Sequence, residues 1–224
     1  MIDHDLLERL RSYDTPTLSN SLGGLTDRAK TEGFTRPPVH SLFPSMPPMV
    51  GFAVTLTIRS ETPHTSTDPA APMAPLYEAV QQVPGPRIVV VQDLDGGAGC
   101  LWGEVNSSIC LALGCEGVIT DGLVRDVPDV EALGFRYLAR GVGVARAYVE
   151  VVDTGIPVEV GGARFESGDL VHADRHGALI IPHDAAAGLP DAAEATIAKE
   201  KRMLDWVRSA EFDPAEIPAR RVQH

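Results

Sequence analysis

The chain has 224 residues, of which 44% are hydrophobic and 22% charged, with a net charge of −12. A chain this long buries roughly 70% or more of its unfolded surface, so it needs no disulfide to fold. The negative balance excludes a nonspecific nucleic-acid binder, which needs clustered Lys and Arg against phosphates.

Leu6, Leu7 and Leu10 recur at helical spacing, so residues 3–12 read as a helix and not as a signal peptide. Thr15-Pro16-Thr17 reads as the cap of a second short helix, with Leu18 and Leu22 on one face. Residues 31–48 read as a Pro- and Ser-rich loop. Met49 to Ile58 reads as a strand alternating around Val50, Phe52, Val54 and Leu56. A second polar loop covers residues 60–73, and Pro75 to Val83 reads as a helix closed by Pro84-Gly85-Pro86. The run Ile88-Val89-Val90-Val91 is apolar on both faces, as in a strand covered on both sides. After the Gly-rich loop 96–99, a helix is expected over 102–114. A strand follows at 117–119, a helix at 127–133 and a strand at 135–139. This alternation predicts an α/β core. Short strands follow at 158–160, 170–171 and 179–181. A helical region covers Asp184 to Arg208. Gly188 and Pro190 are expected to delay its long helix until near Asp191. One domain is expected, with a core of about residues 15–183 and a helical region at 184–210. No apolar run reaches the roughly 20 residues of a membrane span. Cys100, Cys110 and Cys115 have no CxxC pairing and read as reduced, partly buried thiols of a cytoplasmic protein, not as a zinc site.

Chemistry concentrates in Asp121-Gly122-Leu123-Val124-Arg125-Asp126, between an apolar strand and a helix. Ligands bind outside the carboxyl ends of such strands. Arg there suits a carboxylate, and Asp suits a hard cation. The plain alternative is a pair of solvated residues capping the next helix. The stretch from Gly97 to Glu104 offers a helix N-terminus for an anion. Its glycines give GxGxxxG, a near miss for the dinucleotide fingerprint GxGxxG, with Asp121 as the acidic residue further on. Glu104 reads either as a dipole-favoured first-turn residue or as a general base. Asp169, Asp174 and His176 read as turn and hairpin residues before they read as a metal cluster. No Lys lies near the central motifs to form a Schiff base.

The set Gly103-Glu104, Gly114, Gly117, Asp121-Gly122, Val124-Arg125-Asp126, Leu133-Gly134 and Ala139-Arg140-Gly141 resembles the core of the RraA-like family. Thr15 to Gly23, Gly51 with Ala53-Val54-Thr55, and Gly168-Asp169 through Ile181-Pro182 extend the resemblance to about residues 5–205. That family includes aldolases for 4-hydroxy-4-methyl-2-oxoglutarate and 4-carboxy-4-hydroxy-2-oxoadipate. The resemblance implies a β/β/α swivelling-domain fold, and a homotrimer or homohexamer with active sites at subunit interfaces. Asp126 would ligate Mg²⁺ or Mn²⁺. Arg125 would hold the C1 carboxylate of a small 2-oxo acid, assisted by backbone N–H groups around Gly103, Val105 and Asn106. Glu104 would hydrogen-bond a water on the metal. A carboxylate of a neighbouring subunit's last helix would complete the site, with Glu200 the first candidate and Glu194 the second. The implied activity is a class II aldolase releasing pyruvate, with oxaloacetate decarboxylation through the same enolate. The family's name-giving member implies the alternative of a non-catalytic regulator that binds an endoribonuclease. Three features depart from the family pattern: Asn20, the polar run Asn106-Ser107-Ser108, and the loop at 60–73.

Overall fold

The computed structural model describes residues 2–68 and 71–222. The loop expected over 60–73 therefore lies partly outside the described residues. Two short helices open the chain, α1 (His4–Arg11) and α2 (Thr15–Leu22). Each is capped by an aspartate one residue before it: Asp3 accepts from Leu6 N at 2.9 Å, and Asp14 from Thr17 N at 2.8 Å. The cap of α2 is thus Asp14 and not the expected Thr15. Thr15 is already helical, and its hydroxyl is occupied by His172 Nδ1 at 2.9 Å.

The centre is a mixed sheet. Its parallel part is β2 (Met49–Arg59), β3 (Arg87–Asp93), β5 (Cys115–Thr120) and β7 (Arg136–Ala139), in spatial order β7-β5-β3-β2. The strand β1 (His40–Ser41) extends one edge antiparallel to β7. On the other side, β12 (Leu170–Asp174) pairs with Met49–Phe52 of β2, and β13 (Gly177–Ile181) closes the hairpin. β9 (Glu150–Thr154) takes the remaining half of β2, from Leu56 to Arg59.

Strand β2 is buried on both faces from Met49 to Ile58, where alternation predicts one solvated face. Val50, Phe52, Val54, Leu56 and Ile58 pack with Leu7, Leu10, Leu18 and Leu22 of α1 and α2, and with Leu76 and Val80 of α3 (Ala74–Gln82). Met49 and Ala53 belong to a second cluster with Ile88, Val90, Ile119 and Val171. A hairpin covers that side, β10 (Val158–Val160) and β11 (Ala163–Phe165), through Val158, Val160 and Phe165. The layers are therefore helix, sheet and hairpin, as the β/β/α expectation requires. Covering Ile88–Val91 from both sides stabilises the fold by about 1.5–3 kcal/mol per side chain.

Two expectations about helix boundaries are corrected. The helix expected over 102–114 is α4 (Glu104–Ala112), because Cys100–Trp102 forms a strand, β4, and Gly103 is fully extended. β4 joins β6 (Leu123–Val124) and β8 (Gly141–Val142) in a small parallel sheet. The last long helix is α6 (Leu189–Val207), which begins before Asp191. Pro190 lies in its first turn, where a missing N–H costs nothing. α6 packs on α1 and α2, where Ser21 donates to Thr196 at 2.9 Å and Arg9 pairs with Asp191 at 2.7 Å. A shorter helix, α5 (Val127–Leu133), follows β6, and α7 (Ile217–Val222) ends the described chain. No helix is long and apolar enough to cross a membrane among the described residues. All three cysteines are buried and free, more deeply than the partial burial expected of them.

Candidate active site

The strands β3, β5 and β7 all end on the same side, and the small sheet β4-β6-β8 sits beyond those ends. The turn from β5 into β6 is held from below. Asp121 accepts from Asp93 N at 2.8 Å, and Asp93 accepts from Asp95 N at 3.0 Å. Asp93 is only 7% exposed, and its Oδ2 has no hydrogen-bond partner among the described residues. Burial holds both carboxyls above the usual aspartate range. Gly122 is required here, since a Cβ would stand 2.8 Å from Asp93 Oδ2.

The chain then runs through β6 to Arg125 and Asp126. Arg125 N donates to Trp102 O at 2.9 Å, which ties this segment to β4. Asp126 occupies the left-handed region, φ 56° and ψ 41°, and immediately precedes α5. That conformation is uncommon outside glycine, and Asp is among the side chains that tolerate it. It directs Asp126 Oδ2 to the start of α4, where Glu104 N donates to it at 3.1 Å. Arg125 Nε lies 3.7 Å from the same oxygen. Both side chains remain more than a third exposed. Gly103 makes this approach feasible: a Cβ there would fall 2.4 Å from Asp126 Oδ2 and 3.1 Å from Arg125 Nε. No acceptor is found among the described residues for the N–H groups of Val105 and Asn106, so the first turn of α4 has open donors.

Gly103, Val105, Asn106, Arg125 and Asp126 line a cavity of about 480 Å³. Five of the residues singled out from the sequence thus meet in one place. Glu104 and Glu200 do not line it. Glu104 is exposed, and its backbone, not its carboxylate, meets Asp126. Glu200 lies in α6, whose partners within the chain are α1 and α2. Glu194, the second candidate, is engaged locally by the Tyr13 hydroxyl at 3.2 Å.

The same cavity is lined by Met73, Ala74, Tyr77 and Arg146, which sequence reasoning missed. Tyr77 donates to Asn106 Oδ1 at 3.0 Å, and Asn106 Nδ2 donates to Leu101 O at 2.7 Å. Ser107 is fully buried and shares a hydrogen bond with the Tyr137 hydroxyl at 2.8 Å. Asn106 and Ser107 of the polar run after Glu104 are therefore each tied down by hydrogen bonds. Arg146 precedes Ala147, which has φ 55°. Ala147 and Asp126 are the non-glycine residues with positive φ among those described.

The other sequence candidates have structural duties elsewhere. Asp174 accepts from Thr15 N at 2.9 Å and His176 N at 2.8 Å; these bonds outweigh burial and hold it below the usual range. Asp169 accepts from Glu166 N at 2.8 Å. The Gly-rich loop leads into β4 and not into a helix, so the dinucleotide arrangement does not form. Among the described residues, no group of three or more His, Cys, Asp and Glu is placed to hold a metal by itself.

A model of the RraA-like family, described as Aldolase/RraA, matches residues 15–180. A protein of Halalkalibacterium halodurans named "Putative 4-hydroxy-4-methyl-2-oxoglutarate aldolase" is 27% identical over 180 residues, covering 80% of this chain and 77% of that protein. A protein of Hahella chejuensis with the same name is 31% identical over 115 residues, or 46% of this chain and 65% of the relative. Among solved structures, an uncharacterized protein from Pseudomonas syringae pv. tomato superposes with a TM-score of 0.76 at 23% identity. That match covers 100% of this chain and 95% of the other. Streptomyces coelicolor RraAS2, described as an unusual member of the RNase ES inhibitor RraA family, gives a TM-score of 0.70 at 24% identity, over 90% and 96% of the two chains.

Proposed function

This chain belongs to the RraA-like family, and from that premise we propose that it is a divalent-metal-dependent lyase that cleaves 4-hydroxy-2-oxo acids to pyruvate. The observation that carries the reading is the meeting of Arg125, Asp126 and the open N-terminus of α4 in one cavity.

Arg125 suits the C1 carboxylate of a 2-oxo acid through paired hydrogen bonds. The N–H groups of Val105 and Asn106 add donors for the same charge. Asp126 offers a half-exposed hard oxygen. A single carboxylate fits Mg²⁺ or Mn²⁺, which keep several waters, and does not fit a closed four-ligand zinc site. Bound there, such a cation would serve as a Lewis acid toward the 2-oxo group. Glu104, next to the cavity wall, takes the C4-hydroxyl proton through a water. The C3–C4 bond then breaks. Its electron pair moves into the 2-oxo group as an enolate, C4 leaves as a carbonyl, and a proton returned to C3 gives pyruvate. Oxaloacetate loses CO₂ through the same enolate.

In this reading Glu200 acts across a subunit boundary in a homotrimer or homohexamer. Helix α6 supports it, because Ile197, Leu204 and Val207 are exposed apolar residues along it. A second reading, a regulator that binds an endoribonuclease, is favoured by the net charge of −12, which suits a basic partner surface.

The test is pyruvate release from oxaloacetate and from 4-carboxy-4-hydroxy-2-oxoadipate, with Mg²⁺ and then with EDTA. Metal-dependent release that is lost in Asp126→Asn supports the lyase. No release, together with tight capture of an endoribonuclease, favours the regulator.

A further inference from the structure

The reading above uses Arg125, Asp126 and backbone N–H groups of α4. The side chains of Tyr77, Asn106 and Arg146 line the same cavity and have no role in it. Tyr77 belongs to α3, which directly follows the loop that departs from the family pattern. Asn106 belongs to the polar run that also departs. A hydrogen bond joins α3 to that polar run, from the Tyr77 hydroxyl to Asn106 Oδ1 at 3.0 Å. Asn106 is fixed further by its bond to Leu101 O. Among the described residues, one N–H of its amide and the acceptor pairs of the Tyr77 oxygen remain uncommitted.

Arg146 lies close enough to Tyr77 for its charge to oppose the rise that burial imposes on the phenol. It forms no ion pair among the described residues, although the chain is strongly acidic. Its segment approaches β4 so closely that a Cβ on Gly99 would stand 2.4 Å from Arg146 O. Ala147, the next residue, is held at φ 55°, a conformation that L side chains rarely adopt. Such strain is retained where the surroundings enforce one backbone path, and binding sites are where it clusters.

We infer that Arg146, Tyr77 and Asn106 form the specificity pole of the site, which receives a second carboxylate on the half of the substrate beyond the 2-oxo group. This inference rests on the lyase reading for the position of the first carboxylate at Arg125. Arg146 supplies the charge and two-pronged donors. The Tyr77–Asn106 pair sets where the second carboxylate lies. A dicarboxylic 2-oxo acid would then span the cavity between two guanidinium groups, while a monocarboxylic one would leave Arg146 uncompensated.

The experiment is calorimetric titration of the full-length protein with Mg²⁺, using 2-oxoglutarate and 2-oxopentanoate, which differ only in the terminal carboxylate. The wild-type protein should bind 2-oxoglutarate about tenfold to a hundredfold more tightly, the range of one charge-assisted contact. In Arg146→Gln the ratio should fall toward one, and Arg146→Lys should restore part of it. Tyr77→Phe should lower the ratio by a few-fold. Equal binding of the two acids to the wild-type protein, or an unchanged ratio in Arg146→Gln, overturns the pole and leaves the lyase reading intact. Failure of both acids to bind removes the lyase reading, and the pole falls with it.

Discussion

The two walls of the cavity are built from different materials. Gly103, Arg125 and Asp126 stand at the ends of paired strands, and main-chain donors fix them: Arg125 N to Trp102 O, and Glu104 N to the Asp126 carboxylate. Tyr77 and Arg146 stand on a peripheral helix and an exposed loop, and a side-chain bond from Tyr77 to Asn106 joins that wall to α4. The first wall admits almost no change in backbone or volume. The second can change side chain by side chain without disturbing the sheet. Chemistry held in common within a family belongs on the first kind of wall, and substrate preference belongs on the second.

The largest expected effect tests the rigid wall. Asp126→Asn should lower pyruvate release by about a thousandfold or more, the scale of several kcal/mol of lost charge stabilisation. Asn tolerates the left-handed backbone, so the melting temperature should hold within a few degrees. Asp126→Ala should lose the same activity and also melt several degrees lower, because alanine pays about 1–2 kcal/mol at that φ. Equal melting of the two variants would show that the backbone conformation carries no cost.

Gly103→Ala should come next. Its methyl would stand 2.4 Å from Asp126 Oδ2, so the loop must move. A loss of about a hundredfold is expected, with unchanged far-ultraviolet circular dichroism. An active variant would mean that this wall gives way as easily as the other.

Two pH effects of opposite sign separate the ground beneath the site from the frame around it. His172 is buried between Thr15 and Tyr13 O, and burial lowers its pKa to about 4. The unfolded chain takes up this proton near pH 6.5 and the folded chain only near 4. Stability is therefore lost as pH falls through that window, by on the order of 3 kcal/mol. In His172→Gln, the deficit against the wild-type protein should shrink between pH 7 and pH 5 in urea titrations. Asp93 behaves in reverse. Its raised pKa means that the folded chain holds a proton the unfolded chain has released, so stability falls as pH rises above the ordinary aspartate range. Asp93→Asn should help more at pH 8 than at pH 5. A pH-independent effect would show that the carboxyl titrates normally.

The smallest effect belongs to the adaptable wall. Tyr77→Phe should change pyruvate release from oxaloacetate by no more than a few-fold, and a loss near that of Gly103→Ala would erase the distinction between the walls.

This division also governs what the sequence discloses. Ile88–Val91 announces a doubly covered strand, because four consecutive apolar side chains permit little else. Asp121–Asp126 announces a site, because a strand, a Gly turn and two opposite charges follow directly in the chain. Arg146 and Tyr77 carry no such signal: an exposed Arg in a loop and an aromatic on a helix are ordinary in isolation, and only the fold brings them together. Trp102 misleads because its strand has three residues and pairs with segments more than twenty positions away, which no local periodicity can report. Pro190 misleads because a proline reads alike as a helix breaker and as a helix start, until the neighbouring turn is seen.

The small sheet β4-β6-β8 has one more consequence, and it concerns the order of events during folding. Its three strands come from residues 100–102, 123–124 and 141–142, and each is two or three residues long. Segments so short and so far apart have no stable partner until β3, β5 and β7 are aligned, since loop closure must precede the contacts that reward it. The cavity wall therefore has no local precursor. A chain recovering from denaturant would regain its helices and its central sheet first and the cavity wall last, so the return of the cavity times the completion of the fold.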